Sequence, residues 1–360
     1  MSRQLHFDAR HRVLVFAPHP DDETIAAGAL IQSARRAGAA IRVVFATDGD
    51  NNPWPQRWLE RRWHIGEVER VRWGARRRRE AFAAAQMLGL DEESLSFLGW
   101  PDQGLTNCLM RDAKAEDELA EQIVAFAPSH VVLPTLSDCH PDHSALRVML
   151  DLALSRSGVK HVRLGYVLHG PALTDATHTA SSDAAAQACK YAALAAYRTQ
   201  TSLSQNRLSR LARRVEAFVA AERDVPHAHD SADLLLRLKM PSFRAKLRRH
   251  DLLMVLAGVS SSRRLQISLP PSGELRHGVT LEADDAVGGE VHMVRKGDKL
   301  DVRLPGAGAG LLQGYVKIER AWPRLVIFDA AGWHSIDECP ASDREATIVR
   351  GEQVPARALS

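Results

Sequence analysis

Two short segments of the chain concentrate histidine and aspartate at a spacing that suits a metal ion. The first, Ala17–Glu23, contains His19, Asp21 and Asp22, and the second is Asp138–His143. Imidazole and carboxylate groups are zinc ligands, and a catalytic zinc uses about three protein ligands and leaves one position open for water. Carboxylates and a histidine beyond the ligand set could transfer protons. Together the segments predict a hydrolytic zinc site.

Both segments directly follow predicted strands, Val13–Ala17 and His130–Pro134. Ligands of an open parallel sheet bind beyond the carboxyl ends of its strands, so both segments are expected at the same sheet edge. A dinucleotide-binding sheet would have a glycine-rich turn after its first strand, whereas paired carboxylates repel phosphate, which disfavours a nicotinamide cofactor. An isolated Asp-Asp pair could simply start a helix, and an isolated His-x-x-His is commonly surface. Two such clusters at strand ends of one sheet favour a metal.

The N-terminal part of the chain alternates between strand and helix patterns. The predicted strands are Val13–Ala17, Ile41–Thr47, Ser94–Leu98 and His130–Pro134. The predicted helices are Glu23–Arg36, Glu80–Leu88, a stripe at Leu119, Ile123 and Phe126, and a helix from about Ser144. Repeated β-α units of this kind predict an α/β fold, a Rossmann-like parallel sheet with helices on both faces.

The second part of the chain has a different texture. Ala184–Glu222 is rich in alanine, leucine and arginine and is predicted helical, Asp224–Asp233 resembles a break, and short apolar runs separated by turns follow Pro241. These runs are Leu265–Leu269, Val279–Ala283, Val291–Arg295, Leu300–Leu304, Tyr315–Glu319 and Leu325–Phe328. Their spacing predicts strands. We therefore expect a metal-binding domain over residues 1–235 and a β-rich C-terminal module over 236–360, which could bind carbohydrate, dimerise or support the first domain.

Composition sets broad limits on function. The 360 residues are 45% hydrophobic and 25% charged, which is typical of a globular protein, and the net charge of +3 requires neither a nucleic-acid nor a membrane partner. Four widely spaced cysteines argue against a disulfide framework and a cysteine-based zinc site. No apolar stretch approaches the roughly 20 residues of a membrane helix. The first residues lack a signal-peptide core, so a cytoplasmic location is expected.

Ala17–Glu23 and His140–His143 resemble the two signature motifs of the LmbE/PIG-L family of zinc-dependent N-deacetylases. Weaker similarities lie at Thr47–Gly49, Arg77–Glu80, Phe97–Asp102, Lys190–Leu194 and Gln200. The resemblance covers about residues 10–225 and does not extend into the C-terminal module. It implies a deacetylase that removes an N-acyl group, above all acetyl, from an amino sugar such as an N-acetylglucosamine conjugate.

The resemblance also implies roles for individual residues. His19, Asp22 and His143 would bind zinc, and Asp21 would act as the general base. The chemistry agrees with these roles, because zinc polarises an amide carbonyl and lowers the pKa of bound water to about 7. A carboxylate beside that water can take its proton as it attacks.

Other polar residues of the two segments and their surroundings have expected supporting roles. By the resemblance, His140 would face the developing oxyanion or act as a general acid, with Asp142 holding its imidazole. A histidine charged by a neighbouring aspartate suits that position. Asp138 and Asp102 could contact substrate hydroxyls, although aspartates often only form turns. Glu23 is expected to start a helix rather than bind the metal.

The segment between Asp50 and Glu80 is rich in tryptophan and arginine. Tryptophan faces stack on sugar rings and arginines grip phosphate, so the segment could form a lid over an amino-sugar conjugate with or without a phosphate group. Trp54 and Arg77 are the candidate substrate contacts. The run Arg76–Arg79 would oppose the dipole if it opened a helix, which indicates either a nearby anion or an earlier helix start. A solvated basic face is the alternative.

Three other functions stay open. The chain could be a non-catalytic carbohydrate-binding or scaffold protein that retains the fold, but such a protein tends to lose the base or a ligand, and all are present here. It could be a metal-dependent amidase acting on a non-sugar substrate. It could bind nucleic acid through the arginine-rich segment, where aromatic and basic residues alternate. The metal site gives no reason for a nucleic-acid substrate.

Overall fold

The computed structural model describes residues 2–111, 113–212, 215–222, 233–239, 249–258, 262–269, 273–277, 291–296, 299–308, 310–322, 332–336 and 346–348. The chain divides into two compact units, residues 1–223 and 224–360. The predicted division after residue 235 would instead cut a strand, Leu234–Lys239, that belongs to a sheet of the second unit. The strand therefore sets the start of the second unit earlier than composition indicated.

The described part of the first unit contains eight strands and eight α-helices. The strands are β1 (Arg3–Gln4), β2 (Arg12–Ala17), β3 (Ala40–Thr47), β4 (Leu95–Trp100), β5 (His130–Pro134), β6 (Val162–Tyr166), β7 (His178–Ser181) and β8 (Val215–Glu222). The helices are α1 (Asp22–Arg36), α2 (Pro53–Glu60), α3 (Glu67–Leu88), α4 (Leu105–Arg111), α5 (Lys114–Phe126), α6 (Pro141–Ser157), α7 (Ala184–Ala196) and α8 (Arg198–Leu211). A short 3-10 helix, Glu92–Ser94, precedes β4.

The eight strands form one sheet in the order β1-β7-β8-β6-β5-β2-β3-β4. Strands β6, β5, β2, β3 and β4 pair in parallel, with Val15 of β2 opposite Val43 of β3 and Val132 of β5. Only the first residue of β2 is exposed, as expected for a central strand covered on both faces. The predicted α/β class with a mostly parallel sheet is confirmed.

The predicted helix over Ala184–Glu222 is wrong at its C-terminal end. Helix α8 ends at Leu211, and Val215–Glu222 forms β8, which runs antiparallel to both β6 and β7. Phe218 is fully buried in this strand. Alanine and glutamate have low strand propensity, but pairing on both edges and burial of Phe218 outweigh it.

Helix α3 begins well before the arginine run. It starts at Glu67 and ends at Leu88, and Gly89 follows in the left-handed conformation that ends helices. Arg76–Arg79 therefore lie in the middle of the helix, and its first turn carries two glutamates that suit the dipole. The alternative of an earlier helix start is confirmed, and the arginines need no nearby anion.

The described part of the second unit is built of antiparallel strands. They are β9 (Leu234–Lys239), β10 (Arg249–Ala257), β11 (Ser262–Leu269), β12 (Gly273–His277), β13 (Val291–Lys296), β14 (Lys299–Leu304), β15 (Gln313–Trp322), β16 (His334–Ser335) and β17 (Ala346–Ile348). They form a four-stranded sheet, β11-β10-β15-β16, and a five-stranded sheet, β12-β13-β14-β9-β17. Alternate residues of β14 are buried, which is the pattern of a sheet with one covered face.

The β-rich character predicted for this unit is confirmed where the structure describes it. Four of the predicted apolar runs lie in β11, β13, β14 and β15. Val279–Ala283, Leu325–Phe328 and nearly all of the predicted break lie outside the described residues. No helix in the described ranges is long and apolar enough to cross a membrane. Among the described residues, Cys108, Cys139 and Cys189 form no disulfide bond.

Candidate metal centre

The structure brings the two histidine- and aspartate-rich segments together at the carboxyl ends of β2 and β5. His19 and Asp22 follow β2, while His140 and His143 lie at the start of α6. The ring centroids of His19 and His143 are 5.5 Å apart, and those of His140 and His143 are 5.0 Å apart. All four residues are buried. The predicted convergence at one sheet edge is thus present.

Asp22 lies between two imidazoles at a spacing that fits one metal ion. Its Oδ2 atom is 3.2 Å from Nδ1 of His19 and 3.2 Å from Nε2 of His143. Two ligand atoms of one tetrahedral zinc are roughly 3.3 Å apart, because the bonds are about 2.0–2.2 Å long. The His143 side chain is completely buried, and its Nε2 atom faces Oδ2 of Asp22 at 3.2 Å without the geometry of a regular hydrogen bond. A buried nitrogen in this state fits a metal ligand.

The outer nitrogen of each candidate ligand faces a carboxylate. Nδ1 of His143 is 3.2 Å from Oδ2 of Asp138, and Nε2 of His19 is 3.1 Å from Asp142 and 3.2 Å from Asp102. Metal-binding histidines donate their second ring N–H to such groups, which fixes the tautomer and the ring orientation. The inner nitrogens are left facing Asp22.

The carboxylates also make the site strongly attractive to positive charge. Burial opposes the charged form of His143, but Asp138 and Asp22 together raise its pKa to about 10. Burial likewise opposes ionisation of Asp102, but its hydrogen bond to His19 holds the pKa of that carboxyl below its usual value. A divalent cation would satisfy the same negative field.

Asp142 makes different contacts from those expected. We predicted that its carboxylate holds the imidazole of His140, but the carboxylate accepts hydrogen bonds from the backbone N–H groups of Gln103 (2.7 Å) and Leu105 (3.1 Å) and faces His19. The backbone N–H of Asp142 donates to Nδ1 of His140 at 3.2 Å. His140 caps helix α6, so its ring folds back over that N–H. Asp142 therefore positions His19 and the loop after β4.

Asp102 was expected to contact substrate, and the structure gives it internal partners. It is buried, its Oδ1 atom is 3.2 Å from Nε2 of His19, and its Oδ2 atom accepts the backbone N–H of Asn51 at 2.8 Å. These contacts connect the loop after β4 to the loop before α2. The carboxylate supports the metal site from the side opposite Asp22.

Asp21, the predicted general base, lies beside the ligands in a strained conformation. Its φ and ψ angles are 122° and −27°, a region that non-glycine residues seldom occupy and that costs about 1–3 kcal/mol when a functional site imposes it. Burial raises the pKa of its carboxyl to about 8, although Arg77, whose Nη2 atom is 3.6 Å away, opposes this rise. The fold holds this carboxylate in place at a conformational cost.

Arg77 was predicted to contact substrate, and its position corrects that prediction. The side chain is buried; Nη1 donates to the carbonyl oxygen of Gly49 at 2.7 Å and Nη2 to that of Pro20 at 2.5 Å. Arg77 thus ties the loops after β2 and β3 together beside Asp21. The neighbouring Arg78 donates to Asp48 at 2.7 Å. With these groups engaged inside the protein, the arginine run gives no support to a phosphate on the substrate.

Trp54, the other predicted substrate contact, lies on α2 and is 59% exposed. The Arg57 guanidinium carbon is 5.1 Å from the centroid of its ring. Trp58 and Trp63 are also exposed, whereas Trp73 is fully buried. Of these four tryptophans, Trp73 alone matches the alternative in which tryptophans pack on the domain. A contact between Trp54 and the substrate stays a prediction.

Further buried hydrogen bonds hold the helices and loops around the site in place. Glu80 accepts the backbone N–H of Thr199 at 3.2 Å and its hydroxyl at 2.5 Å, which caps the start of α8. The hydroxyl of Tyr197 donates to Glu23 at 2.5 Å, and Glu23 in turn accepts the backbone N–H of Asp21 at 3.0 Å. Glu23 lies in the first turn of α1, as predicted, and does not face the candidate ligands.

A buried ion pair fixes the middle of α1. Nζ of Lys190 is 2.5 Å from Glu216 and donates to the carbonyl oxygen of Ile25 at 2.9 Å. Glu216 accepts the backbone N–H groups of Ala29 (2.7 Å) and Leu30 (3.0 Å). Helix α1 carries Asp22 at its first position, so the pair anchors the helix that presents a candidate ligand.

One residue of the site was missed by the sequence analysis. His169 follows β6, and its ring centroid is 4.9 Å from that of His143. Ligand atoms of Asp22, His143 and His169 lie within 4.8 Å of one another. The signal was available, because assigning a strand to Val162–Tyr166 would have placed His169 at the same edge of the sheet.

Comparisons with known proteins identify the family that the first unit resembles. Residues 14–154 match the family model described as PIG-L: GlcNAc-PI de-N-acetylase, so the chain contains a PIG-L domain. This confirms the resemblance over a shorter range than predicted, and the C-terminal region beyond the domain matches no family model.

Two curated relatives share the description 1D-myo-inositol 2-acetamido-2-deoxy-alpha-D-glucopyranoside deacetylase. The proteins from Mycolicibacterium gilvum and Mycolicibacterium vanbaalenii are 31% and 30% identical to this chain over 152 residues, which is 37% of this chain and 50% of each relative. The chain thus spans about half the length of the curated relatives it matches. Among solved structures, the conserved protein TT1542 from Thermus thermophilus is 23% identical, with 58% of this chain and 94% of that chain covered and a TM-score of 0.46.

Proposed function

We propose that the chain is a zinc-dependent hydrolase that removes the N-acetyl group of an amino-sugar conjugate. The observation that carries this proposal is the convergence of His19, Asp22 and His143, in which one carboxylate oxygen of Asp22 lies 3.2 Å from a buried ring nitrogen of each histidine. The matched curated relatives are described as deacetylases of an acetamido sugar linked to inositol, which supports the substrate class.

The ligand set is Nδ1 of His19, the carboxylate of Asp22 and Nε2 of His143. A zinc ion held there supplies a Lewis acid that polarises the amide carbonyl and acidifies water. Asp138 and Asp142 keep the outer imidazole nitrogens protonated, so that the inner nitrogens are free for the metal. Burial of the ligands excludes bulk water from the metal side.

Asp21 takes the proton of the attacking water. Asp21 directly precedes Asp22 in the chain. The Arg77 guanidinium lies 3.6 Å from the Asp21 carboxylate and keeps it in place. The new C–O bond forms as this proton leaves, and the C–N bond then breaks as the proton held by Asp21 passes to the departing amine nitrogen, so that acetate and the free amine are the products. The ring centroid of His140 is 4.8 Å from that of His19, and in this proposal His140 faces the carbonyl oxygen or the departing amine.

The substrate is an amino sugar joined to a second group. An exposed Trp54 could stack on a sugar face at the rim, since Asn51, three residues before it, is hydrogen-bonded to Asp102 of the site. A phosphate forms no part of the proposal, because Arg77 and Arg78 have internal partners.

Acetate release tests the proposal. The zinc-loaded full chain is incubated with N-acetylglucosamine, a nucleotide-linked form, an inositol-linked form and, as a non-sugar amide, N-acetylated amino acids. We expect acetate from at least one sugar conjugate, loss of release with a chelator and recovery with added zinc. A folded, zinc-loaded protein that cleaves only the non-sugar amide, or none of them, would refute the assignment.

A further inference from the structure

His169 belongs to the reaction centre although neither signature segment contains it. It follows β6, the neighbour of β5 in the sheet, so both strands present their carboxyl ends at the same place. Its ring centroid is 4.9 Å from that of His143 and 5.4 Å from that of His140. One of its ring nitrogens groups with Asp22 and His143 within 4.8 Å.

The backbone of His169 is fixed to the loop that carries the second signature segment. Its N–H donates to Oδ2 of Asp138 at 3.1 Å, and its carbonyl oxygen accepts the N–H of Cys139 at 2.6 Å. The same Asp138 oxygen also accepts the N–H of Leu168 at 2.8 Å and lies 3.2 Å from Nδ1 of His143. One carboxylate oxygen therefore sets the positions of His143 and His169 together.

The surroundings of the ring indicate which nitrogen carries the proton. Nδ1 of His169 is 3.5 Å from Nη2 of Arg207. A guanidinium can only donate hydrogen bonds, so Nδ1 is the acceptor of this contact and the ring proton resides on Nε2. A protonated Nε2 is a hydrogen-bond donor and is not available to bind a metal.

We propose that His169 is a further catalytic residue, which donates a hydrogen bond from Nε2 to the carbonyl oxygen of the substrate amide as that oxygen becomes negative. This role rests on the proposed amide hydrolysis. No proton is transferred in this role, in which the ring only shares its N–H. A fixed donor aimed at a developing oxyanion acts mainly on the transition state, and removing one costs about 10²–10³-fold in kcat.

Kinetics and zinc content of His169 variants test this role in the full chain. For His169→Ala we expect kcat to fall by about a hundredfold, with KM within a few-fold of wild type and with zinc content unchanged. His169→Gln should recover part of kcat, because its amide N–H can reach the same oxygen. His161→Ala is the matched control. It removes the histidine that directly precedes β6, at the other end of the strand from His169, and should behave like wild type.

Two outcomes would overturn the proposal. Wild-type kcat in His169→Ala would show that the donor is dispensable, and loss of zinc in that variant would make His169 a metal ligand instead. If the alanine variant fails to fold, the glutamine variant decides, since it keeps a polar side chain of similar reach.

Binding of acetate separates this proposal from the sugar assignment. Acetate titrated into the zinc-loaded protein places a carboxylate oxygen where the amide oxygen would lie. Its Kd should rise about tenfold in His169→Ala, equivalent to the loss of about 1.4 kcal/mol from one hydrogen bond. If acetate binding depends on His169 but the protein is inactive on every sugar, the proposed substrate class is refuted and the role of His169 as a donor is retained. Equal acetate affinity in both proteins would refute the donor.

Discussion

Histidine side chains cluster at both ends of β5, and the two clusters have different neighbouring residues. At the amino end, the ring of His130 packs 5.0 Å from that of His11 and 5.5 Å from that of Phe7. At the carboxyl end, His143 lies between two carboxylates, Asp22 and Asp138, each 3.2 Å from a ring nitrogen. Imidazole rings close in space thus do not by themselves define a metal site. Carboxylates on both ring nitrogens are what distinguishes the carboxyl end.

The electrostatic consequences of the two environments are opposite. Burial, followed by the charges of His11 and His178, lowers the pKa of His130 to about 4. The two carboxylates overcome burial and raise the pKa of His143 to about 10. The amino end of the strand therefore disfavours a positive charge on His130, and the carboxyl end attracts a cation. Substitutions at the two ends should accordingly have different effects.

The largest effect is expected at the carboxyl end, from Asp21→Asn. The amide cannot take a proton from water, so kcat should fall by about 10²–10⁴-fold while the zinc content stays at the wild-type level. Acetate release and metal analysis on the same preparation measure both. His11→Gln, at the other end of the sheet, is the control and should keep full activity. Unchanged turnover in Asp21→Asn would remove Asp21 from the mechanism.

The next effect concerns the carboxylate that orients His143. Asp138→Asn should weaken zinc binding by about 10–100-fold, because the outer ring N–H loses its charged partner. Competition with a chelating dye measures the change in Kd. Ser129→Ala is the matched control, since the Ser129 hydroxyl is 3.0 Å from Nδ1 of His130. Equal zinc affinity in both variants would mean that Asp138 does not tune a metal ligand.

Arg77→Ala should act on stability rather than on substrate binding. The side chain donates to two backbone carbonyls in the interior, so its loss should lower the free energy of unfolding by about 2 kcal/mol, the usual worth of hydrogen bonds to a charged group. Arg77→Lys should not restore it, because lysine lacks the two-pronged geometry. Arg79→Ala, on the same helix, is the control. A higher KM with unchanged stability would contradict this expectation and indicate that Arg77 contacts the substrate.

The smallest effect is a pH dependence at the amino end of β5. His130 has a lower pKa in the folded state than the usual 6.5, so its contribution to stability is complete above pH 6.5 and is lost as the pH falls toward about 4. His130→Gln should therefore show a smaller fall in Tm over this interval than wild type. Thermal unfolding of both proteins at matched ionic strength measures the difference. Parallel curves would contradict the burial of a neutral ring.

The convergence of the two histidine- and aspartate-rich segments could be predicted from the sequence because it depends on local order. His19, Asp22 and His143 follow buried apolar runs directly, and parallel strands bring such positions to one edge. Asp142 was misassigned because its partners, Gln103 in the loop after β4 and Leu105 at the start of α4, are brought close only by the tertiary structure. Spacing along the chain contains no information on that contact.

The remaining differences arise where tertiary contacts outweigh local preference. Arg163 and Gly165 interrupt the apolar pattern of β6, so neither the strand nor His169 after it was recognised. In β8, alanines and a glutamate favour helix, but pairing with two strands and the Lys190–Glu216 contact select an extended chain. Arg77 was assigned to substrate because its burial depends on where α3 begins.

The proposed chemistry depends on one divalent ion that binds between His19, Asp22 and His143. Anomalous diffraction at the zinc edge, from crystals of the full chain grown with zinc, locates such an ion without reference to activity. We expect a single strong peak in the first unit, within bonding distance of Nδ1 of His19, a carboxylate oxygen of Asp22 and Nε2 of His143. A zinc-loaded crystal with no peak among these three atoms, or with the ion held by other residues, would refute the metal centre.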